Sequence, residues 1–367
     1  MPTMARHIPE NGLVRLVELN RDSDDPKPHC QPVPTRWLTG ASRSMKYRRL
    51  GRTNWQVSEV GYGMWGMAGW TGSDLDEVNR ALRRSVALGC NFFDTAWGYG
   101  SGKSEAILGD LVRDFPDRKL YTATKIPPKN WKWPSRREFS VDDCFPPEHI
   151  EEYVTASLTN AGLASFDLMQ FHTWEDGWLN DDRWYHKLCD LKSQGLFGAI
   201  GVSQNRWEPW NGIAAVKSGL IDCVQVIYNI FDQNPQDELF PACRQHDVGV
   251  IARVPFDEGT LTGTLTKSST WPDNDWRSSY FVPENLNASV DRAEALRPWI
   301  PVGMTMAEMA LRFSLSEPTV GTVIPGMRSV RHVDANMAAS EAGPLSSGLL
   351  EELTRHRWVR QPTGWSQ

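Results

Sequence analysis

The sequence predicts an α/β fold, a (β/α)8 TIM barrel with an N-terminal β-hairpin plug and long βα loops. Eight short apolar runs alternate with amphipathic stretches along the chain, which is typical of a parallel sheet whose strands are buried on both faces. No glycine-rich dinucleotide-binding fingerprint follows the first apolar run, and its absence favours a closed barrel over a doubly wound sheet. The 367 residues are also enough for such a barrel, which needs about 250.

The apolar runs are the predicted strands: Glu59–Gly63, Asn91–Asp94, Leu120–Lys125, Leu168–His172, Ala199–Val202, Val224–Tyr228, Gly249–Ala252 and Gly321–Ile324. The amphipathic stretches are the predicted helices: Leu75–Leu88, Ser104–Val112, His149–Ala161, Arg183–Gln194, Glu208–Ser218, Glu238–His246, Ala307–Ser314 and Val330–Ala339. Gly89 and Gly195 are typical of helix ends. Gly51 and Asn54 hold turn positions within Lys46–Val57, which predicts a small hairpin that plugs the bottom of the barrel.

Composition divides the chain into three predicted parts. Residues 1–44 are rich in proline, carry a charge cluster at 21–25 and lack periodicity, which predicts a disordered leader. We expect residues 45–345 to form the barrel and residues 346–367 to form a C-terminal helix and tail. Three connections after predicted strands are too long for bare loops and fall on the face where barrel enzymes place their sites: Ile126–Pro147, Thr173–Asp182 and Phe256–Val302.

Charge and cysteine content argue against several classes of function. A net charge of −6, from 39 Lys and Arg against 45 Asp and Glu, disfavours a nucleic-acid partner or an anionic membrane surface. No apolar run reaches the roughly 18 residues of a membrane span, so we expect no membrane partner and a cytoplasmic location. The six cysteines are scattered without a C-x-x-C pair, which predicts free thiols and no metal site.

Four chemically active side chains stand at or just past the ends of successive predicted strands. They are Asp94, Tyr99, Lys125 and His172. Each alone has an ordinary structural explanation, such as a helix cap, a packing residue or a solvated charge. Together they form a plausible proton-transfer set, because an ammonium lowers the pKa of a nearby phenol and a carboxylate keeps that ammonium charged and in place. A histidine opposite would orient a substrate oxygen.

Several motifs carry a resemblance to a known family. They are Tyr-Arg-Arg-Leu-Gly-Arg-Thr at 47–53, Gly-Tyr-Gly-Met-Trp-Gly at 61–66, Phe-Phe-Asp-Thr-Ala-Trp-Gly-Tyr-Gly at 92–100, Gly-Val-Ser at 201–203, Gly-Thr-Leu-Thr-Gly at 259–263 and Val-Ile-Pro-Gly-Met-Arg at 323–328. From about Tyr47 to Asn336 the sequence resembles the aldo-keto reductase superfamily. The resemblance implies that Asp94, Tyr99, Lys125 and His172 are the catalytic tetrad.

The resemblance also implies a nicotinamide cofactor lying extended across the barrel mouth. The implied contacts are Gly63, Met64, Trp65, Asp94, Ser203, Gln204, Gln225, Arg253, Phe256, Gly259, Leu261, Gly263, Gly326, Arg328, His332 and Asn336. Ser203 and Gln225 would bind the carboxamide, and the loop that begins at Phe256 would cover the pyrophosphate. Arg328 would pair with a 2′-phosphate, which favours NADPH over NADH. The alternative for Arg328 is a solvated charge at a helix start.

Two of these positions depart from the family pattern. Gln204 stands where an asparagine usually follows the serine, so its amide would bind from a shifted position. Arg253 stands where many members place an aromatic residue against the nicotinamide. Its guanidinium has two open modes of contact, stacking on the ring or binding a pyrophosphate oxygen.

Tryptophan is unusually frequent, with 17 residues against 13 Phe and 8 Tyr. Eleven follow predicted strands: Trp65, Trp70, Trp97, Trp131, Trp133, Trp174, Trp178, Trp207, Trp210, Trp271 and Trp276. Of these, the candidates for the substrate pocket are Trp65, Trp97, Trp131, Trp133 and Trp174. Indoles at a barrel mouth stack on sugar faces or aromatic substrates. The alternative is that they only pack the long loops onto the barrel.

The sequence therefore predicts an NADPH-dependent oxidoreductase that interconverts a carbonyl compound and an alcohol, with Tyr99 as general acid and base. A polyol, a sugar or a sugar-derived ketone is the expected substrate class, and the expected assembly is a monomer or small homo-oligomer. Two alternatives stay open. One is a cofactor-sensing regulatory subunit, and the other is a redox-neutral epimerase that retains NADP.

Overall fold

The barrel predicted from the sequence is present in the computed structural model, which describes residues 45–67 and 74–366. The predictions for the leader, residues 1–44, and for Trp70 lie outside the described residues. The strands are β1 Tyr47–Arg49, β2 Gln56–Ser58, β3 Tyr62–Gly63, β4 Phe92–Asp94, β5 Tyr121–Ile126, β6 Phe166–Phe171, β7 Phe197–Ser203, β8 Cys223–Ile227, β9 Gly249–Arg253 and β10 Val320–Val323.

Strands β3 to β10 form one parallel sheet in chain order. Parallel bridges from Val60 to Val323 and from Gly63 to Gly326 join its first and last strands, so the sheet closes into a barrel. The eight strand predictions are confirmed, with ends that differ by at most three residues. The strands are almost wholly buried because helices cover the outer face while side chains fill the interior.

The helices are α1 Leu75–Ala87, α2 Lys103–Asp114, α3 Val141–Cys144, α4 Pro147–Ala161, α5 Arg183–Ser193, α6 Ile213–Ser218, α7 Leu239–His246, α8 Trp276–Tyr280, α9 Pro283–Leu296, α10 Met306–Ser316, α11 Val330–Ala342 and α12 Ser347–Thr354. One helix prediction is wrong at its start, because α6 begins at Ile213 rather than at Glu208. Pro209 and Gly212, both poor helix formers, occupy the intervening turns. The long connections also hold helices that the sequence pattern did not indicate, namely the short α3 and α8 and the 14-residue α9.

The predicted hairpin plugs the barrel. Strands β1 and β2 pair antiparallel, and the fully buried Leu50 follows β1 into the barrel interior. A Cβ atom on Gly249 would lie 2.8 Å from Leu50 Cγ, and one on Gly321 would lie 2.7 Å from its Cδ1. Glycines at these two positions leave the space that the leucine fills. The hairpin thus seals one end of the barrel and leaves the carboxyl ends of the strands for a site.

The C-terminal tail returns to that open end. After α12, the Trp358 amide donates to the Phe231 carbonyl at 2.9 Å, and the Arg360 side chain is buried against the loops that follow β8 and β9. Among the described residues, no helix is long and apolar enough to cross a membrane.

Candidate active site

A buried ion pair lies where the carboxyl ends of β4 and β5 meet. Lys125 Nζ donates to Asp94 Oδ1 at 2.5 Å and to the Thr95 carbonyl at 2.8 Å. Lys125 is 0% exposed and Asp94 is 2% exposed. Such a pair must be held in good geometry to offset the cost of removing two charges from water. The ammonium is therefore fixed at the floor of the barrel mouth.

Two glutamines orient the carboxylate of that pair. Gln170 Nε2 on β6 and Gln225 Nε2 on β8 donate to Asp94 Oδ2 at 3.1 and 2.8 Å. The resemblance implies that Gln225 binds the nicotinamide carboxamide, whereas the contact seen in the structure is the one that positions Asp94. Gln170 was not singled out from the sequence, although an amide inside an otherwise apolar strand is a signal that could have identified it.

Tyr99 lies directly above the ammonium. Its hydroxyl accepts a hydrogen bond from Lys125 Nζ at 3.5 Å. Burial raises the pKa of Tyr99, with Asp94 acting in the same direction, and the positive charges of Lys125 and Arg253 oppose that rise only in part. The phenol is thus protonated at neutral pH. The sequence-based expectation was that Lys125 lowers the pKa of Tyr99. Its charge does act in that direction, but burial raises the pKa more strongly.

His172 follows β6 and faces the same space. Its ring meets the Tyr99 ring edge-on, with 5.7 Å between centroids, and lies 5.6 Å from the Trp133 ring. Burial holds the pKa of His172 well below 6.5, and the charges of Lys125 and Arg253 add to that effect. Its buried Nδ1 has no hydrogen-bond partner among the described residues. The imidazole is therefore neutral and retains bonding capacity for a ligand.

An aromatic wall made of Trp97, Trp131, Trp133 and Tyr153 borders this group. The Trp131 ring lies 5.6 Å from the Trp97 ring and 5.8 Å from the Trp133 ring, and Tyr153 packs 4.8 Å from Trp97. Because the Trp133 ring also touches His172, the wall is continuous with the polar centre.

Trp174 and Trp65 also pack against other tryptophans. Trp174 is 0% exposed, and its indole N–H donates to Asp176 Oδ1 at 2.8 Å. The expectation that it lines a substrate pocket is corrected, because this side chain packs the loop after β6 onto the barrel against Trp184 at 5.2 Å. Trp65, after β3, packs edge-on against Trp276 of α8 at 5.8 Å.

Polar atoms without partners mark the mouth between β7 and β9. Both amide atoms of Gln204 are buried with no hydrogen-bond partner among the described residues, as is Arg253 Nε. Arg253 Nη2 donates to the Gln204 carbonyl at 2.9 Å, and burial lowers the pKa of Arg253 to about 10. Ser203 ends β7 beside them and is buried. Unsatisfied buried polar groups are costly, so these residues fit a polar ligand such as the carboxamide of a nicotinamide.

Residues 254–263, here called the covering segment, have an unusual backbone. Val254, Asp257 and Glu258 have φ values of 58°, 45° and 58°, and each such conformation costs about 1–3 kcal/mol. Gly259 has φ 110° and no atom within 4 Å of where its Cβ would stand. The remaining predicted contacts in this segment differ in exposure, since Leu261 is fully buried while Phe256 and Gly263 are half-buried. The open space at Gly259 permits the close approach of a phosphate to the backbone.

Cations gather at the N-terminus of α11, where Ser329 caps the helix. A Cβ on Gly66 would lie 2.9 Å from Arg328 Cδ, so the arginine stem crosses the loop after β3. Burial lowers the pKa of Arg328, and so does the charge of Arg277, which was not predicted from the sequence. A helix N-terminus with added guanidinium groups fits a phosphate. Three predicted contacts lie nearby, with Gly326 and His332 exposed and Asn336 buried.

Comparison with known proteins agrees with this architecture. The aldo/keto reductase family model matches residues 59–357. The chain is 28% identical over 321 residues to the uncharacterized oxidoreductase YqkF of Bacillus subtilis (strain 168), covering 85% of this chain and 96% of that protein. It is 28% identical over 313 residues to the NADH-specific methylglyoxal reductase of Escherichia coli (strain K12), covering 80% of this chain and 93% of that protein.

A solved structure of an aldo-keto reductase is similar to this chain in both fold and sequence. The holo form of the aldo-keto reductase AKR11C1 from Bacillus halodurans matches with a TM-score of 0.69 at 25% identity, covering 88% of this chain and 100% of that chain. The protein therefore belongs to the aldo/keto reductase family and is an NAD(P)-dependent oxidoreductase built on a (β/α)8 barrel.

Proposed function

We propose that this protein is an NADPH-dependent carbonyl reductase that also runs in reverse as an alcohol dehydrogenase, with Tyr99 as the general acid and base. The single observation that carries the proposal is the chain of contacts from Asp94 through Lys125 to the Tyr99 hydroxyl, facing a neutral His172. A protonated phenol beside a buried ammonium is a proton donor whose anion is stabilised at the moment it forms.

Each member of this group has a distinct task in the proposed reaction. When bound, the dihydronicotinamide supplies the hydride that reduces the carbonyl carbon. Tyr99 holds the proton at its hydroxyl and delivers it to the carbonyl oxygen, while Lys125 stabilises the resulting phenolate. His172, a neutral imidazole that keeps one N–H, donates it to that oxygen and so orients the carbonyl. Asp94, held by Gln170 and Gln225, keeps Lys125 in place.

The preference for NADPH rests on the cations at α11. The charge of Arg277 lowers the pKa of Arg328, while Asp275, to which Arg277 Nε and Nη2 donate, raises it. A 2′-phosphate beside Arg328 would give its guanidinium a bidentate partner. The relative from Escherichia coli is named NADH-specific, so the preference of this chain has to be measured.

The proposed substrate is a small polar carbonyl compound, such as a sugar-derived ketone, that lies against the aromatic wall. Trp97, Trp131 and Trp133 offer stacking faces beside His172. Lys132 and Arg136 on the same connection add polar contacts.

We also propose the division into a leader at 1–44, a barrel at 45–345 and a C-terminal helix and tail at 346–367.

The test is steady-state oxidation of NADPH with a panel of aldoses, ketoses and aryl aldehydes. Tyr99→Phe should lower kcat by about 100-fold or more, since a positioned general acid contributes 10²- to 10⁴-fold. Tyr121→Phe is the matched control, because Tyr121 stacks on Trp55 of the hairpin with 5.2 Å between ring centroids, and it should stay within about threefold of wild type. Undiminished turnover in Tyr99→Phe would refute the role of Tyr99.

The same panel separates the two alternatives. Bound cofactor that never exchanges with added NADPH, together with epimerised product, would identify a redox-neutral epimerase. Reversible NADPH binding without turnover of any carbonyl would identify a sensing subunit. Either result would overturn the proposed reductase activity.

A further inference from the structure

The C-terminal tail places an arginine between two buried carboxylates. Arg360 is 5% exposed, and its guanidinium donates to Asp257 Oδ1 at 2.7 Å and to both carboxylate oxygens of Asp232, from Nε to Oδ1 at 3.2 Å. Asp232 follows β8, and Asp257 lies in the covering segment after β9. One side chain from the end of the chain thus joins two loops of the barrel mouth.

Aromatic rings enclose the same guanidinium. Arg360 lies 4.6 Å from the Trp207 ring centroid and 4.6 Å from that of Trp358. Further along the tail, the Trp365 ring packs 5.8 Å from Trp207 and 5.8 Å from Tyr280. Cation–π contacts of this kind are strongest where water is excluded. The tail is therefore an integral wall of the mouth.

The hydrogen bonds around Asp232 and Arg360 hold the part of the covering segment whose backbone has positive φ values. Asn229 Nδ2 donates both to the Val254 carbonyl at 3.0 Å and to Asp232 Oδ2 at 2.9 Å. Arg360 holds Asp257, whose φ is 45°. Two residues with positive φ are thus tied to one anchor, Asp232. A backbone in such conformations persists only where its surroundings hold it.

We propose that Arg360 is a positioning residue that locks the covering segment over the bound dinucleotide, so that the cofactor leaves only when the tail disengages. This inference rests on the proposed function, because the segment is expected to cover the pyrophosphate. Removing the guanidinium leaves two carboxylates repelling each other in a buried space, which opens the segment. The tail would thereby set the rate of cofactor exchange without touching the reacting atoms.

The test is the dissociation rate of NADPH, followed by stopped-flow energy transfer from tryptophan to the dihydronicotinamide. Arg360→Gln should release NADPH about tenfold faster or more, and Arg360→Lys should fall between this variant and wild type because it keeps the charge but not the fork. Arg357→Gln is the matched control, since Arg357 lies on the same tail and pairs with Asp237 at the surface. It should leave the rate unchanged.

Kinetic and structural readouts separate locking from simple destabilisation. Locking predicts that Arg360→Gln raises KM for NADPH while kcat is unchanged or higher. It also predicts that chymotrypsin cleaves the cofactor-loaded variant after Phe256 faster than it cleaves wild type. If Arg360→Gln does not fold, the isosteric Asp257→Asn serves instead and should release NADPH several-fold faster.

The outcomes are distinct for the two proposals. Equal dissociation rates in wild type, Arg360→Gln and Asp257→Asn would overturn the locking role while leaving the reductase proposal intact. Failure of wild type to bind NADPH at all would overturn the proposed function itself.

Discussion

The proposed catalytic centre and the aromatic wall are built from different parts of the barrel. Asp94, Lys125 and Gln170 lie within adjacent strands, so the hydrogen-bond register of the sheet fixes their spacing. Trp131 and Trp133 lie on the long connection after β5, and Trp131 is 48% exposed against 0% for Lys125. In this comparison the strand ends hold the proposed reacting groups, which tolerate little movement, while the connections hold the residues proposed to select the ligand and to control its exchange.

The largest effect should follow from breaking the centre at its buried charge. Lys125→Met removes the stabiliser of the phenolate, and we expect kcat/KM to fall about 1000-fold. The variant also leaves Asp94 buried without its cation, which should lower the free energy of unfolding by about 3–5 kcal/mol. Steady-state kinetics and urea unfolding give the two numbers.

Lys217→Met is the control for that substitution, because Lys217 is an exposed lysine in the last turn of α6. It should change kcat/KM by less than about threefold. Wild-type turnover in Lys125→Met would show that the buried ion pair is not needed for the reaction, and the proposed difference between the catalytic centre and the aromatic wall would not hold.

The next effect is on pH dependence, which the centre alone should control. Because burial raises the pKa of Tyr99 above its ordinary value of 10.0, the phenol stays protonated from pH 6 to pH 9. Carbonyl reduction needs that proton and should be flat over this range. Alcohol oxidation needs the phenolate, whose population rises about tenfold per pH unit below the pKa.

Initial rates in both directions between pH 6 and pH 9 check this expectation. His172 should contribute no break near pH 6.5, because its pKa lies well below that value. An oxidation rate that levels off below pH 8 would mean that the charge of Lys125 outweighs burial after all.

The predictions for Lys125 and for the pH dependence both concern residues that the sequence already indicated. The eight strands were predictable because each is a short apolar run, and three tetrad positions followed because parallel strands bring their carboxyl ends together. The Tyr99 pKa was not predictable in direction, since burial depends on the whole mouth. Trp174 was misassigned for a similar reason, because its neighbour Trp184 belongs to another element and buries it. Arg360 was missed since its partners stand more than 100 residues earlier in the chain.

A smaller effect should follow at the cofactor end of the mouth. Arg328→Gln removes one guanidinium from the cations at α11, and KM for NADPH should rise about tenfold while KM for NADH changes little. Arg84→Gln is the control, since Arg84 of α1 forms a surface ion pair at 2.8 Å with Asp334, which lies in α11. An equal rise in KM for NADPH and NADH in Arg328→Gln would show that Arg328 does not bind the 2′-phosphate.

The smallest effect on turnover should come from two tryptophans that the sequence places in the same class. Trp131→Ala removes an exposed face of the aromatic wall and should raise KM for the carbonyl substrate about three- to tenfold, with unfolding free energy within about 0.5 kcal/mol of wild type. Trp174→Ala should do the reverse, lowering unfolding free energy by about 3–5 kcal/mol with little change in KM. Thermal or urea unfolding beside steady-state kinetics measures both. If Trp174→Ala raised KM as much as Trp131→Ala does, the buried Trp174 would also contact the substrate. Burial would then fail to separate structural tryptophans from substrate-binding ones.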